Sequence, residues 1–146
     1  MQLFTIGFTQ KTARRFFELL SSHQVGCLVD IRIHPGSQLS GFAKQSDLGY
    51  FLKALNNCEY RHLLDLAPTE DMMSVYRKSH DWEAYAQAFE SLLDARHVPE
   101  TLDRTLFESQ RCCLLCSEPT PEQCHRRLVA ERLQKHWSNV EIIHLI

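Results

Sequence analysis

Short apolar runs separated by amphipathic segments constrain this chain more than any other feature. Leu3 to Gly7, Val25 to Arg32 (centred on Cys27-Leu28-Val29-Asp30-Ile31), about Glu59 to Leu64, Cys112 to Cys116 and Val140 to Ile146 read as strands. Between them, apolar residues recur at helical spacing. Ala13, Phe16, Phe17 and Leu20 form one stripe, with Thr9 or Thr12 as N-cap. Leu48, Phe51, Leu52 and Leu55 form a second, capped by Ser46 or Asp47 and ending near Asn56-Asn57. Trp82, Tyr85, Ala86, Phe89, Leu92 and Leu93 form a third, interrupted at Pro99 and followed by a short helical piece from Glu100 to Phe107. Residues 65 to 80 read as irregular or weakly helical, and a last helix spans about Pro121 to Trp137. The order β-α-β-α-β-α-β-α-β predicts an α/β fold, with a mostly parallel sheet of about five strands and helices on both faces. The strands are apolar without alternation, as expected when both sheet faces are covered.

A chain of 146 residues suits one domain, here residues 1–146, with a sizeable core. The formal net charge of −2 argues against a global basic field for nucleic acid. No apolar run reaches membrane-spanning length, and the N-terminus lacks the basic start and cleavage pattern of a signal peptide. Three of the six cysteines, Cys112, Cys113 and Cys116, crowd one apolar strand. Neighbours on a strand point to opposite faces, so this is a poor disulfide framework. Reduced cysteines and a cytoplasmic location, with no membrane partner, are the expectation.

The chemistry gathers where the Cys112–Cys116 strand meets the last helix. Thr120-x-x-Gln123 reads as a capping box and Pro121 as the first helical residue, which puts Cys124, His125 and Arg126 in the first turns. Free N–H groups and the helix dipole favour an anion there and lower the pKa of a nearby thiol. At ~100° per residue, Val129, Ala130, Leu133 and Trp137 define the buried face. Arg126 falls near its centre, His125 a quarter turn away and Cys124 on the opposite side. A guanidinium on an apolar stripe needs a partner, and Asp30, Glu118 or a bound anion are the candidates. Arg126 leads this ranking, His125 follows, and Cys124 reads as an exposed, inert thiol.

In parallel α/β sheets, ligands bind at the carboxyl ends of the strands. Those ends carry Gly7-Phe8-Thr9, Asp30-Ile31-Arg32 and Cys116-Ser117-Glu118. Arg32 and Arg126 could clamp a phosphate or carboxylate, with Ser37 and Thr9 adding hydroxyls and Gly7 allowing close approach. Asp30 could steady Arg32 or orient His125. The loop from His34 to about Gln45 is long for a compact domain and borders the same edge. Cys116, Cys124 and His125 could supply three zinc ligands, but there is no Cys-x-x-Cys or His-x-x-x-His pair and Arg126 would repel a cation. No metal is expected. Tyr76, Arg77, Lys78 and His80 form a basic-aromatic cluster that reads first as solvated surface.

These motifs resemble one family, the bacterial and archaeal domain of unknown function 488. Thr5-Ile6-Gly7, then Asp30-Ile31-Arg32 with Pro35 and Ser37, then Leu114-Leu115-Cys116-Ser117-Glu118 leading to Cys124-His125-Arg126 match it in order and spacing. Phe8-Thr9 replaces the polar pair usual after the first glycine. Ala67-Pro68 stands where Leu-Gly-Gly is common, and residues 97 to 109 form a longer stretch. The resemblance implies the fold and the site, not the reaction.

Three functions compete. The first is a transferase or hydrolase acting on a phosphorylated or nucleotide-like substrate. In it Arg32 and Arg126 hold the anion, His125 is general acid or base, Asp30 or Glu118 orients it, and Cys124 or Cys116 is nucleophile if a covalent step exists. The second is a non-catalytic binder of nucleotide or nucleic acid using the same arginines. The third is a thiol-redox or sulfur-transfer protein, which needs an accessible cysteine of low pKa.

Overall fold

The computed structural model describes residues 1–36 and 41–146. Five parallel strands form one sheet: β1 Gln2–Gly7, β2 Cys27–Asp30, β3 Glu59–His62, β4 Cys112–Cys116 and β5 Glu141–Leu145, in the order β3-β2-β4-β1-β5. The helices are α1 Ala13–Ser22, α2 Gln45–Phe51, α3 Glu70–Ser79, α4 Trp82–Ala95, α5 Arg104–Ser109 and α6 His125–His136. This is the expected single-layer sheet sandwiched by helices.

Alternation along the strands divides the core. Phe4, Ile6, Leu28, Cys113 and Leu115 face α1 and α2, where Phe16, Leu20, Leu48 and Leu52 meet them. Leu3, Val29, Cys112, Leu114 and Cys116 face the other side and pack on Phe89, Leu93, Val129 and Leu133. Each fully buried large apolar side chain contributes about 1.5–3 kcal/mol, so both layers are well anchored to the central strands. The edge strand β3 alternates exposed and half-buried residues, because only one neighbour covers it.

Connections place the site. From β1 the chain crosses β4 to reach β2, whereas from β4 it crosses β1 to reach β5. Neighbouring strands whose connections leave in opposite directions open a crevice between their carboxyl ends. Those ends are Gly7 and Cys116, which are register partners.

Several element boundaries differ from the sequence reading. Residues 70–79, read from sequence as irregular or weakly helical, form a complete helix, α3. Thr69 caps it by accepting from Met72 N–H, Glu70 and Asp71 sit in its first turn and Arg77 and Lys78 in its last. It buries no residue fully, which is why no apolar stripe reveals it. The short helix near Pro99 begins at Arg104, capped by Asp103, and not at Glu100. Neither Ser46 nor Asp47 caps α2; Lys44 occupies that position with no side-chain cap, and α2 continues into a π-helical turn over Leu52–Asn56. The last helix starts at His125, so Thr120 and Gln123 do not form a capping box and Pro121 is not its first residue.

Candidate active site

Between Cys116 and α6, residues 117–124 form a loop folded back over β1. Thr9 N–H donates to Ser117 O at 3.1 Å, and Arg126 Nη1 donates to Glu118 O at 2.6 Å. A Cβ on Gly7 would stand 1.6 Å from Glu118 O and 2.9 Å from Arg126 Nη1. Glycine is therefore required here so that the loop, rather than a ligand, can lie against the strand.

This fold of the loop gathers Cys116, Cys124 and His125, whose sulfur and ring nitrogen atoms all lie within 4.8 Å of one another. Cys116 Sγ is 3.3 Å from His125 Nδ1, and His125 Nε2 is 2.8 Å from the Ile31 carbonyl oxygen. A carbonyl only accepts, so Nε2 carries a proton, and Nδ1 is the nitrogen that faces the Cys116 sulfur and can exchange a proton with it. Phe89 packs edge-on against the imidazole at 5.5 Å and holds its plane. The residue that orients His125 is Ile31 through its backbone, not the side chain of Asp30 or Glu118.

Burial alone pushes the Cys116 thiol up. The hydrogen bond from Cys124, the N–H groups of Ser117 and Glu118, and the Arg126 charge outweigh it and hold the thiol below its ordinary value. Cys124, which donates to Cys116 and is itself buried, is pushed well above. The helical wheel places Cys124 in solvent, and the structure corrects this. The residue is 2 % exposed, because α6 begins one residue after it and the wheel does not extend through an N-cap.

Arg126 lies one layer behind the sulfurs, with no exposed surface. Its Nη1 donates to Cys124 Sγ at 3.4 Å and its Nε to Thr5 Oγ1 at 3.3 Å, while Nη2 is buried with no protein partner. Thr5 Oγ1 continues the chain to His144 Nδ1 at 2.7 Å. Among the described residues no carboxylate pairs with Arg126; Glu118 meets it through its backbone carbonyl. An uncompensated buried guanidinium is costly, and a thiolate at the Cys116–Cys124 pair is the compensation that this geometry offers.

Asp30 belongs to Arg32. Arg32 Nε and Nη2 donate to the two carboxylate oxygens at 2.8 and 2.7 Å, and Tyr60 adds a 2.5 Å hydrogen bond from its hydroxyl. The Arg32 guanidinium lies over the Phe8 ring at 5.3 Å, and its Nη1 is left without a protein partner.

In front of these groups lies a cleft of about 540 Å³, lined among others by Arg32, Arg77, Cys116, Glu118, Cys124 and His125. Its outer wall is aromatic. Tyr85 stacks on Trp82 at 5.4 Å and packs at a tilt against Tyr76 at 5.0 Å, and Arg127 sits over Trp82. Tyr76, Arg77 and His80, read from sequence as surface, line this cleft, whereas Lys78 does not. Arg32 reaches the cleft and Arg126 supports it from behind, so the two arginines serve at different depths. Thr9 contributes its backbone N–H to the loop. Ser37 lies outside the described residues. A second hollow of about 360 Å³ between α1 and α2, lined by Phe17, Phe42, Phe51 and Leu55, carries no thiol or imidazole.

Cys116, Cys124 and His125 have the donor types and spacing for a soft metal ion. A metal there would have to displace the Arg126–Cys124 hydrogen bond and sit beside a guanidinium, which opposes it. Thr5, His144, Tyr60 and the Ile31 carbonyl escape a reading of the sequence. Thr5 and His144 are isolated polar positions among apolar neighbours on their strands, and a carbonyl leaves no residue-type signal.

Among the described residues no helix is long and apolar enough to cross a membrane. The family described as domain of unknown function DUF488 matches residues 12–133, which include β2 through most of α6. No curated protein and no solved structure matches the chain.

Proposed function

The chain belongs to the domain of unknown function DUF488 family, and from the geometry of its cleft we propose that it is an enzyme, a transferase or hydrolase using Cys116 as nucleophile on a phosphorylated, nucleotide-like substrate. The contact between Cys116 Sγ and His125 Nδ1, with the opposite nitrogen tied to Ile31, carries this reading. An imidazole held in that tautomer can take the thiol proton and leave a nucleophilic sulfur. The sulfur then attacks phosphorus, an S–P bond forms, the bond to the leaving oxygen breaks, and that oxygen takes the proton from His125. Water or a second acceptor, deprotonated by His125, releases the group in a second displacement.

Each wall of the cleft supports part of such a substrate. The aromatic cluster Tyr76, Trp82 and Tyr85 offers a planar face for a base. The guanidinium of Arg32, fixed by Asp30, and that of Arg77 line the cleft and offer positive charge for phosphate. Glu118 stands exposed at the rim, and Gly7, Thr9 and Arg126 hold the loop that presents the Cys116 sulfur.

The test is turnover of a panel of nucleoside mono- and diphosphates, with intact-mass analysis of acid-quenched protein. A phosphoryl adduct on Cys116, abolished in Cys116→Ser and formed about 10²–10⁴-fold more slowly in His125→Ala, is the expected result. Binding without turnover or adduct, unchanged in both variants, would make the protein a binder instead.

A further inference from the structure

The nucleophilic mechanism leaves one thiol of the cluster without a chemical role, and Cys124 is not placed like an idle core residue. Its sulfur shares the 4.8 Å cluster with Cys116 and His125, and both cysteines line the same cleft. We propose that Cys116 and Cys124 form a reversible disulfide in response to hydrogen peroxide, which makes the cleft a peroxide-sensitive switch; this rests on Cys116 being the reactive thiolate of the proposed function.

The chemistry closes in two displacements. Cys116 thiolate attacks one peroxide oxygen, an S–O bond forms, the O–O bond breaks, and hydroxide leaves as water with a proton from His125. Cys124, its proton removed by His125, then attacks the Cys116 sulfur. The S–S bond forms, the S–O bond breaks, and a second water leaves with that proton. The two thiols are oxidised by two electrons and one peroxide is reduced to two waters.

Three features favour this pair over the others. Peroxide is small and the cleft of about 540 Å³ reaches both sulfurs, although Cys116 is only 5 % exposed. All six cysteines pack into the two core layers, and of the six Cys116 and Cys124 are the two that line that cleft. Cys116 ends its strand and Cys124 is an N-cap in extended backbone after a loop, so neither is locked within a ladder on both sides. Arg126 makes the bond easy to undo. It stabilises negative charge at the sulfurs, and the disulfide removes that charge while leaving the guanidinium buried, so the reduced form is favoured as in strongly oxidising disulfides. Formation of the bond also shields Cys116 from irreversible oxidation while it blocks the nucleophile.

The reduced protein is treated with one equivalent of hydrogen peroxide, with dimedone present in a parallel sample, and followed by intact mass and peptide mapping. Untreated protein is alkylated with iodoacetamide to score Cys116 reactivity separately. The expected result is loss of two hydrogens, a single Cys116–Cys124 cross-link, full reversal by dithiothreitol, and dimedone capture at Cys116 only in Cys124→Ser. If Cys116 alkylates readily but wild-type protein accumulates oxygen or dimedone on Cys116 without a cross-link, the switch is refuted and the nucleophile reading stands. If Cys116 neither alkylates nor oxidises, both fall together.

Discussion

Replacing Gly7 with alanine tests the packing on which the whole site depends. The added methyl would stand 1.6 Å from Glu118 O, 2.7 Å from Glu118 C and 2.9 Å from Arg126 Nη1. Ordinary contact with a backbone oxygen needs about 3 Å or more, so the loop must retreat by roughly 1.5 Å. It cannot do so freely, because Thr9 N–H holds Ser117 O and Arg126 Nη1 holds Glu118 O. Losing the charge-assisted bond costs about 1.5–3 kcal/mol, and overpacking a close-packed site adds about 1–3 kcal/mol, for a total of about 2.5–6 kcal/mol. With an m-value of about 2 kcal/mol/M in urea, the unfolding midpoint falls by about 1.2–3 M. The same retreat draws the Ser117 and Glu118 N–H groups off the Cys116 sulfur, so iodoacetamide alkylation of Cys116 at neutral pH slows as well. A variant within about 1 kcal/mol of wild type that alkylates at the wild-type rate would show the loop to be free of β1, and the account of the site would be wrong.

Other consequences are equally direct. The alkylation rate of Cys116 rises with pH to a plateau reached below that of an ordinary cysteine; Arg126→Met moves the profile upward, and an unmoved profile would remove Arg126 as the source of charge stabilisation. His144 has its pKa lowered below 6.5 by burial, then by the Arg126 charge. Between the folded value and 6.5 the unfolded chain binds more protons, so stability present above pH 6.5 is lost as pH falls through that window. His144→Gln flattens this part of the urea-midpoint profile, and an unchanged slope would contradict the assignment. Asp30→Asn breaks the buried pair with Arg32 and costs about 3–5 kcal/mol by urea titration; a neutral result would mean that solvent, not Asp30, balances Arg32.

Features carried by residues at fixed separation along the chain are legible in the sequence. Apolar runs and helical stripes set the strand–helix alternation, because those periods are properties of the local backbone. Parallel pairing follows from the crossover helices, and the meeting of Gly7, Arg32 and Cys116 at the carboxyl edge follows from parallel pairing. Beyond the cap of α2 and the start of α5, two features that matter to the site are illegible. One is α3, whose stability comes from its caps and charges instead of a buried stripe, and the other is the start of α6.

Tertiary structure decided which groups face one another. Whether Cys124 looked outward or inward depended on an eight-residue loop turning back over β1, which no periodicity describes. Partner choice was likewise decided in space. Asp30 took Arg32 two residues away on the chain, Arg126 was left with carbonyl, hydroxyl and thiol, and His125 took its orientation from a carbonyl ninety-four residues distant. The local chain determines which chemical groups are brought to the sheet edge. Their charge states and hydrogen bonds depend on burial and distance, which exist only once the strands have paired and the loops have packed.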